Sequence, residues 1–168
     1  IRKHAEAVTR LETLENYYNG KHAIAERTRT KGAPNNKISV NFAKYISDVS
    51  TGYFINNPIT YVSSTGDDIT PLITAFDRAH TDDTDADNAF ELSMNGEAYE
   101  YVYAKEGTTE LAVKNLCAKN TFMIIDSSIE EKELAGIYYR TITDDITGKT
   151  SYVATVCTEH YIHTVNLV

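Results

Sequence analysis

Four potential metal ligands fall within seven residues at Cys157, Glu159, His160 and His163, the densest group of chemistry-bearing side chains in the chain. Thiolate, imidazole and carboxylate are the donors that zinc and related ions take. Along one continuous strand Cys157, Glu159 and His163 face one way and His160 the other, so the group converges only across a bend. No Cys-x-x-Cys and no second His pair accompanies it, although Cys117 could reach in from another strand. A metal-binding module or metal-dependent enzyme built on Cys157, His160 and His163 is thus one reading, set against strand histidines that are solvated or hydrogen-bonded.

A second candidate is Asp83, Asp85 and Asp87, whose one-three-five spacing is that of an EF-hand calcium loop. The rest of that loop fails, because Asn88 stands where glycine is needed and Met94 where a bidentate glutamate is needed. Acids in the first turn of a helix, at the positive end of its dipole, explain the run more simply. Walker, dinucleotide-binding, nucleophile-elbow and His-Glu-x-x-His patterns are all absent from the sequence. The paired acids Asp67-Asp68, Glu130-Glu131 and Asp144-Asp145 sit among turn residues and read as solvated loops. Tyr99, Tyr101 and Tyr103 make an aromatic stripe, but Glu97 and Glu100 beside it oppose nucleic-acid stacking and favour burial against a helix or a neighbouring subunit. The residues therefore point to an interaction or structural role, with no cofactor implied.

The elements that carry these residues follow from periodicity. Val8, Leu11, Leu14 and Tyr18 predict an amphipathic helix over residues 2–18, stopped by Asn19-Gly20. Residues 21–36 lack apolar periodicity and contain Gly32 and Pro34, which predicts an exposed connector. Phe42, Tyr45, Ile46, Val49 and Tyr53 trace a second helical stripe, ended by Asn56-Asn57-Pro58 and followed by a predicted short strand over 59–63. Helices over 71–79 and about 83–95 come next, with the acidic stretch of 81–88 between them. Beyond Gly96 the period changes to two, predicting strands over 99–103, 111–116, 122–125, 134–142, 152–157 and 161–165, with Asp145-Ile146-Thr147-Gly148 as a hairpin turn. Helices first and strands second, without long crossovers, imply an α+β fold: amino-terminal helices followed by a mostly antiparallel β-sheet.

Composition bounds the rest. The 168 residues are 42% hydrophobic and 24% charged, enough for one core, and no 18-residue apolar run or leader peptide stands out, so the chain reads as soluble rather than membrane-spanning. Two cysteines are too few for a disulfide framework. The formal charge of −8 is uneven: residues 1–44 hold nine Lys/Arg and four acids, a net of +5 that leaves −13 for the remainder. So acidic a body is a poor sequence-independent nucleic-acid binder, because phosphate neutralisation supplies most of such affinity. A first residue that is Ile1 rather than methionine suggests a piece of a longer protein.

The run PNNKISVNFAKYISDVSTGYFINNPITY from Pro34 to Tyr61, after NYYNGKHAI from Asn16 to Ile24, resembles the amino-terminal region of tailed-bacteriophage portal proteins of the SPP1-like kind. GEAYEYVYA from Gly96 to Ala104 and NTFMIIDSSIEEKELAGIYYR from Asn120 to Arg140 agree in order, the latter with Asp126 ahead of a strand carrying Tyr138-Tyr139. The resemblance covers most of residues 11–143. It implies a structural, non-enzymatic subunit of a homo-oligomeric ring, typically a dodecamer, at one capsid vertex. Double-stranded DNA would pass through without sequence-specific binding, driven by the terminase. Scaffold, capsid and head-completion proteins would be further partners. The protein would reside in the virion, and in the host cytoplasm during assembly. The chain would supply residues 1–33 as an amino-terminal helix and basic connector and 34–168 as the α+β wing domain, with stem, clip, channel loop and crown following it. A closed ring needs head-to-tail contacts between different patches, and the charge asymmetry nominates Arg27, Arg29 and Lys31 as subunit-interface residues reaching an acidic surface on the next subunit.

Overall fold

The computed structural model describes residues 2–145 and 147–167. Helix α1 spans Arg2–Tyr18, α2 Phe42–Phe54, α3 Thr70–Ala79 and α4 Thr81–Asn95. Strands β1 (Tyr99–Ala104) and β2 (Leu111–Leu116) form a two-stranded antiparallel ribbon. Strands β3 (Thr121–Ile125), β4 (Glu133–Thr143), β5 (Thr150–Thr158) and β6 (Ile162–Leu167) form an antiparallel sheet in that order. This is the α+β arrangement that the change of period implies.

Several element ends shift by one or two residues from the sequence expectation, and two departures alter the reading. Residues 59–63 pair with no strand; Tyr61 instead packs at a tilt against Phe76 of α3, with ring centroids 4.9 Å apart. β-propensity alone cannot make a strand without a free neighbouring edge. Helix α4 begins at Thr81, two residues earlier than expected, because His80 adopts a left-handed conformation (φ 53°) and turns the chain from α3 directly into α4. The acidic run 82–87 therefore lies on α4 and not between helices, with Asp82 and Asp83 in the first turn where the dipole favours them. A calcium loop at Asp83, Asp85 and Asp87 is thereby ruled out, since a continuous helix cannot wrap three side chains round one cation.

The core is small and joins the layers. Along α1 the residues facing inward include His4, Leu11, Leu14 and Tyr18, and Leu11 keeps only 1% of its surface. His4 stacks on Phe122 of β3 at 4.5 Å and meets Tyr139 of β4 edge-on at 5.7 Å. The Tyr139 hydroxyl donates to the Lys119 carbonyl oxygen at 2.9 Å, and His4 Nε2 lies 3.1 Å from the same oxygen. Lys119, in the 3-10 turn Ala118–Asn120 before β3, also pairs with Glu15 of α1 at 2.9 Å. Just past the carboxy end of α4, Glu97 pairs with Arg10 of α1 at 3.0 Å. Val153 and Ala154, adjacent on β5, are both buried, so both sides of this interior strand are covered.

The loops close by local hydrogen bonds. An Asp126 carboxylate oxygen accepts from the Ser128 N–H (3.0 Å), the Ser128 hydroxyl (2.6 Å) and the Lys132 N–H (3.1 Å), fixing the β3–β4 turn and holding the carboxyl below its usual range. Of the expected hairpin turn at 145–148, Ile146 lies outside the described residues; around it, the Asp144 N–H donates to the Lys149 carbonyl at 2.9 Å and Gly148 takes φ 66°. Gly136 on β4 faces Met123, whose sulfur lies 3.2 Å from where a Cβ would stand. Among the described residues no helix is long and apolar enough to cross a membrane.

Candidate functional site

The four-ligand segment at the carboxy end does not assemble. It forms a hairpin rather than one strand: Cys157 is on β5, Glu159 and His160 are in the turn, and His163 is on β6. The register pairs Cys157 with Ile162 and Val156 with His163. Cross-strand partners share a face and successive residues alternate, so Cys157 and His163 project from opposite faces. His160 and Glu159 are largely exposed, with side chains 72% and 89% accessible. Cys117 is exposed, just before the 3-10 turn. No group of three or more His, Cys, Asp and Glu side chains among the described residues is placed to hold a metal ion. Cys157, His160 and His163 therefore do not converge into a metal module.

The tyrosine stripe lines a cleft. Tyr99, Tyr101 and Tyr103 of β1 look across to β3, β4 and β5 over a space of ≈ 720 Å³, shared with Met123, Leu134 and Ile137. The stripe thus faces the four-stranded sheet, not a helix. Tyr101 and Tyr103 stack at 5.1 Å. Burial raises the Tyr101 hydroxyl, reinforced by a hydrogen bond to Cys157. Tyr99 is pushed up to about 12, chiefly by burial and then by the Glu97 carboxylate, which its hydroxyl meets at 3.1 Å. Neutral, hydrogen-bonded phenols suit packing, and the charged lining mixes Glu100, Glu133 and Glu159 with Lys114 and Arg140 instead of forming the basic groove that a phosphate backbone needs.

The basic connector holds a defined path. Asn35 Nδ2 donates to the Arg27 carbonyl at 3.1 Å and an Arg29 guanidinium nitrogen to the Pro34 carbonyl at 3.4 Å, folding residues 27–35 back on themselves. Arg27, Arg29 and Lys31 are all exposed, and no ion pair among the described residues engages them.

Helix α2, into which the connector runs, is turned the unexpected way. Its start is fixed by Asn41, whose side chain accepts from the Lys44 N–H at 3.0 Å and donates to the Tyr18 carbonyl at 2.8 Å. One turn on, Lys44 donates to the Tyr18 hydroxyl at 2.7 Å and pairs with Asp48 at 2.9 Å, while Tyr18 donates to Asp48 at 2.8 Å. The Lys44 ammonium holds the Asp48 carboxyl below its usual range, helped by Tyr18. These contacts turn Ala43, Ser47 and Thr51 inward, where Ser93 of α4 donates to the Ser47 carbonyl at 3.2 Å. Ser47 keeps 7% of its surface, whereas Val49 keeps 53% and Tyr53 88%. The helical spacing of that apolar stripe was legible in the sequence; its outward orientation was not.

The family described as phage portal protein, SPP1 Gp6-like, matches residues 1–167. No curated protein matches the chain at a significant level. The match runs over nearly the whole sequence, and the family is a structural one. The chain belongs to the SPP1 Gp6-like phage portal proteins, homo-oligomeric rings at the capsid vertex that serve DNA packaging.

Proposed function

We propose that this chain serves in a portal subunit whose ring, a dodecamer, forms the channel through which double-stranded DNA is packaged and ejected. The observation that carries this reading is the family match over residues 1–167. Residues 34–168 act as the wing domain, and residues 1–33 as an amino-terminal helix and basic connector. The role is structural and not enzymatic: the subunit frames a passage and performs no bond-making of its own. An acidic body supports it, because a net of −13 beyond residue 44 lets DNA slide past without attractive phosphate contacts. Terminase, scaffold, capsid and head-completion proteins are the partners of the assembled ring, which forms in the host cytoplasm before it enters the virion.

Within the ring, Arg27, Arg29 and Lys31 meet acidic side chains of the next subunit. Their exposure, the fixed path of the connector and the charge asymmetry support that contact. Native mass spectrometry with negative-stain imaging of the full-length protein tests the reading: closed rings of about twelve subunits are expected. A full-length protein that stays monomeric at high concentration contradicts it. Reversing the charge of Arg27, Arg29 and Lys31 together should weaken ring formation and flatten its salt dependence; unchanged assembly removes these residues from the interface.

A further inference from the structure

We propose that the outward apolar face running through Ile38, Val40, Phe42, Tyr45, Val49 and Tyr53 is a docking surface on which a second copy of this chain seats. The inference deepens the ring reading and rests on it. Ile38 and Val40 stand exposed in the segment that leads into the helix, the Phe42 N–H turns back onto the Val40 carbonyl at 3.0 Å, and 42, 45, 49 and 53 follow on α2 at helical spacing, so the lead-in and the helix together expose an apolar run. All six side chains are exposed, the least by half of its surface.

The helix cannot satisfy this face by rolling over. Asn41, the Tyr18–Lys44–Asp48 cluster and the Ser93–Ser47 contact fix its rotation, and its inward side is the small set Ala43, Ser47 and Thr51 that closes against α4. A contiguous apolar surface held outward marks an interaction site in a water-soluble protein.

Area and charge select the occupant. The described chain exposes 12886 Å², where a compact monomer of its mass exposes about 8,300 Å², an excess of about 4,600 Å². An obligate interface buries about 2,000–5,000 Å² in total, half from each partner, so a ring member with two neighbours covers about that much of its own surface. A single small ligand would leave most of the excess bare. Lys37 and the exposed Arg27, Arg29 and Lys31 flank the face on its amino-terminal side, and the chain's own remainder carries −13. A copy of the same chain therefore brings the complementary charge, in the head-to-tail manner that closes rings.

The test uses the full-length protein, wild type beside Val49→Asp and, separately, Tyr53→Ser, with assembly followed by mass photometry over a dilution series and folding by the melting temperature of the dissociated subunit. The expected result is a rise of at least tenfold in the concentration needed for half-assembly with Val49→Asp, a smaller rise with Tyr53→Ser, and an unchanged melting temperature. Rings that form at the wild-type concentration in both variants overturn the docking surface while leaving the portal ring intact. A lowered melting temperature with rings preserved also overturns it, by assigning the face to another part of the same polypeptide. A wild-type protein that forms no ring overturns the ring reading itself, and this inference with it.

Discussion

Along α1, Leu11 is enclosed, His4 lies between Phe122 and Tyr139, and Lys119 pairs with Glu15 through its ammonium while its carbonyl oxygen meets His4 and the Tyr139 hydroxyl. Thirty residues along, α2 presents Phe42, Tyr45, Val49 and Tyr53 to solvent and keeps Ser47 inside. Both segments are amphipathic helices of similar pattern. The first spends its apolar side inside the chain, against α4, the 3-10 turn at 118–120 and α2, and the second holds it in reserve. Burial of apolar surface drives folding and association alike, so the same stripe can serve either end. What separates the two is the polar framework, which binds α1 to the 3-10 turn at 118–120 and locks α2 outward at Asn41, Lys44 and Asp48.

This contrast can be broken by mutation, most forcefully at the closed end. Leu11→Ala removes the most deeply buried large side chain and should lower unfolding stability by about 2–5 kcal/mol, read from urea denaturation. A loss below about 1 kcal/mol would mean that the α1 junction is not the core. Asn41→Ala removes both the N-cap acceptor of α2 and the donor to Tyr18, with an expected cost of about 1 kcal/mol and fraying at the start of the helix by hydrogen exchange.

Alkaline pH probes the cleft. Tyr99 ionises at about 12 in the folded chain against 10.0 for a free phenol. The folded state thus holds this proton where the unfolded state has lost it, so its contribution to stability is intact below pH 10 and falls as pH rises towards about 12. Urea midpoints across that window should decline, and Tyr99→Phe should make the decline shallower; an unaltered slope would remove Tyr99 from the cause. The smallest effect is expected at the open end. Val49→Asp should leave the stability of the dissociated subunit within about 0.5 kcal/mol of wild type, because the side chain it replaces is solvated there. A loss as large as that of Leu11→Ala would erase the distinction between the two helices.

Much of the architecture was legible because periodicity reports local structure directly. Helix α1, helix α2, strand β2 and the switch to sheet after Gly96 follow from spacings of three to four and of two. The strand expected over 59–63 failed because pairing is a tertiary fact, and the start of α4 was missed because a left-handed histidine made the turn that glycine usually makes. The candidate sites were less legible. Cys157 and His163 look adjacent in sequence, yet a hairpin register puts them on opposite faces. The joining of His4 to Phe122 and Tyr139 spans more than a hundred residues, and no local pattern encodes it. For α2 the stripe itself was readable, but a stripe does not say whether its partner lies in the same chain. The one clue was the small set Ala43, Ser47 and Thr51 on the opposite side, sized for close helix packing.

Hydroxyl-radical footprinting of assembled full-length rings addresses this most directly, because it reads side-chain exposure of residues of one chemical type within one sample. In the isolated chain Tyr53 is 88% exposed and Tyr161 66%. If the outward face of α2 is covered by a neighbouring subunit, Tyr53 in rings is oxidised more slowly than Tyr161, reversing the order set by the isolated chain. Rings in which Tyr53 remains the faster of the two would contradict the account, since the face would then be bare in the assembly it is held out to meet.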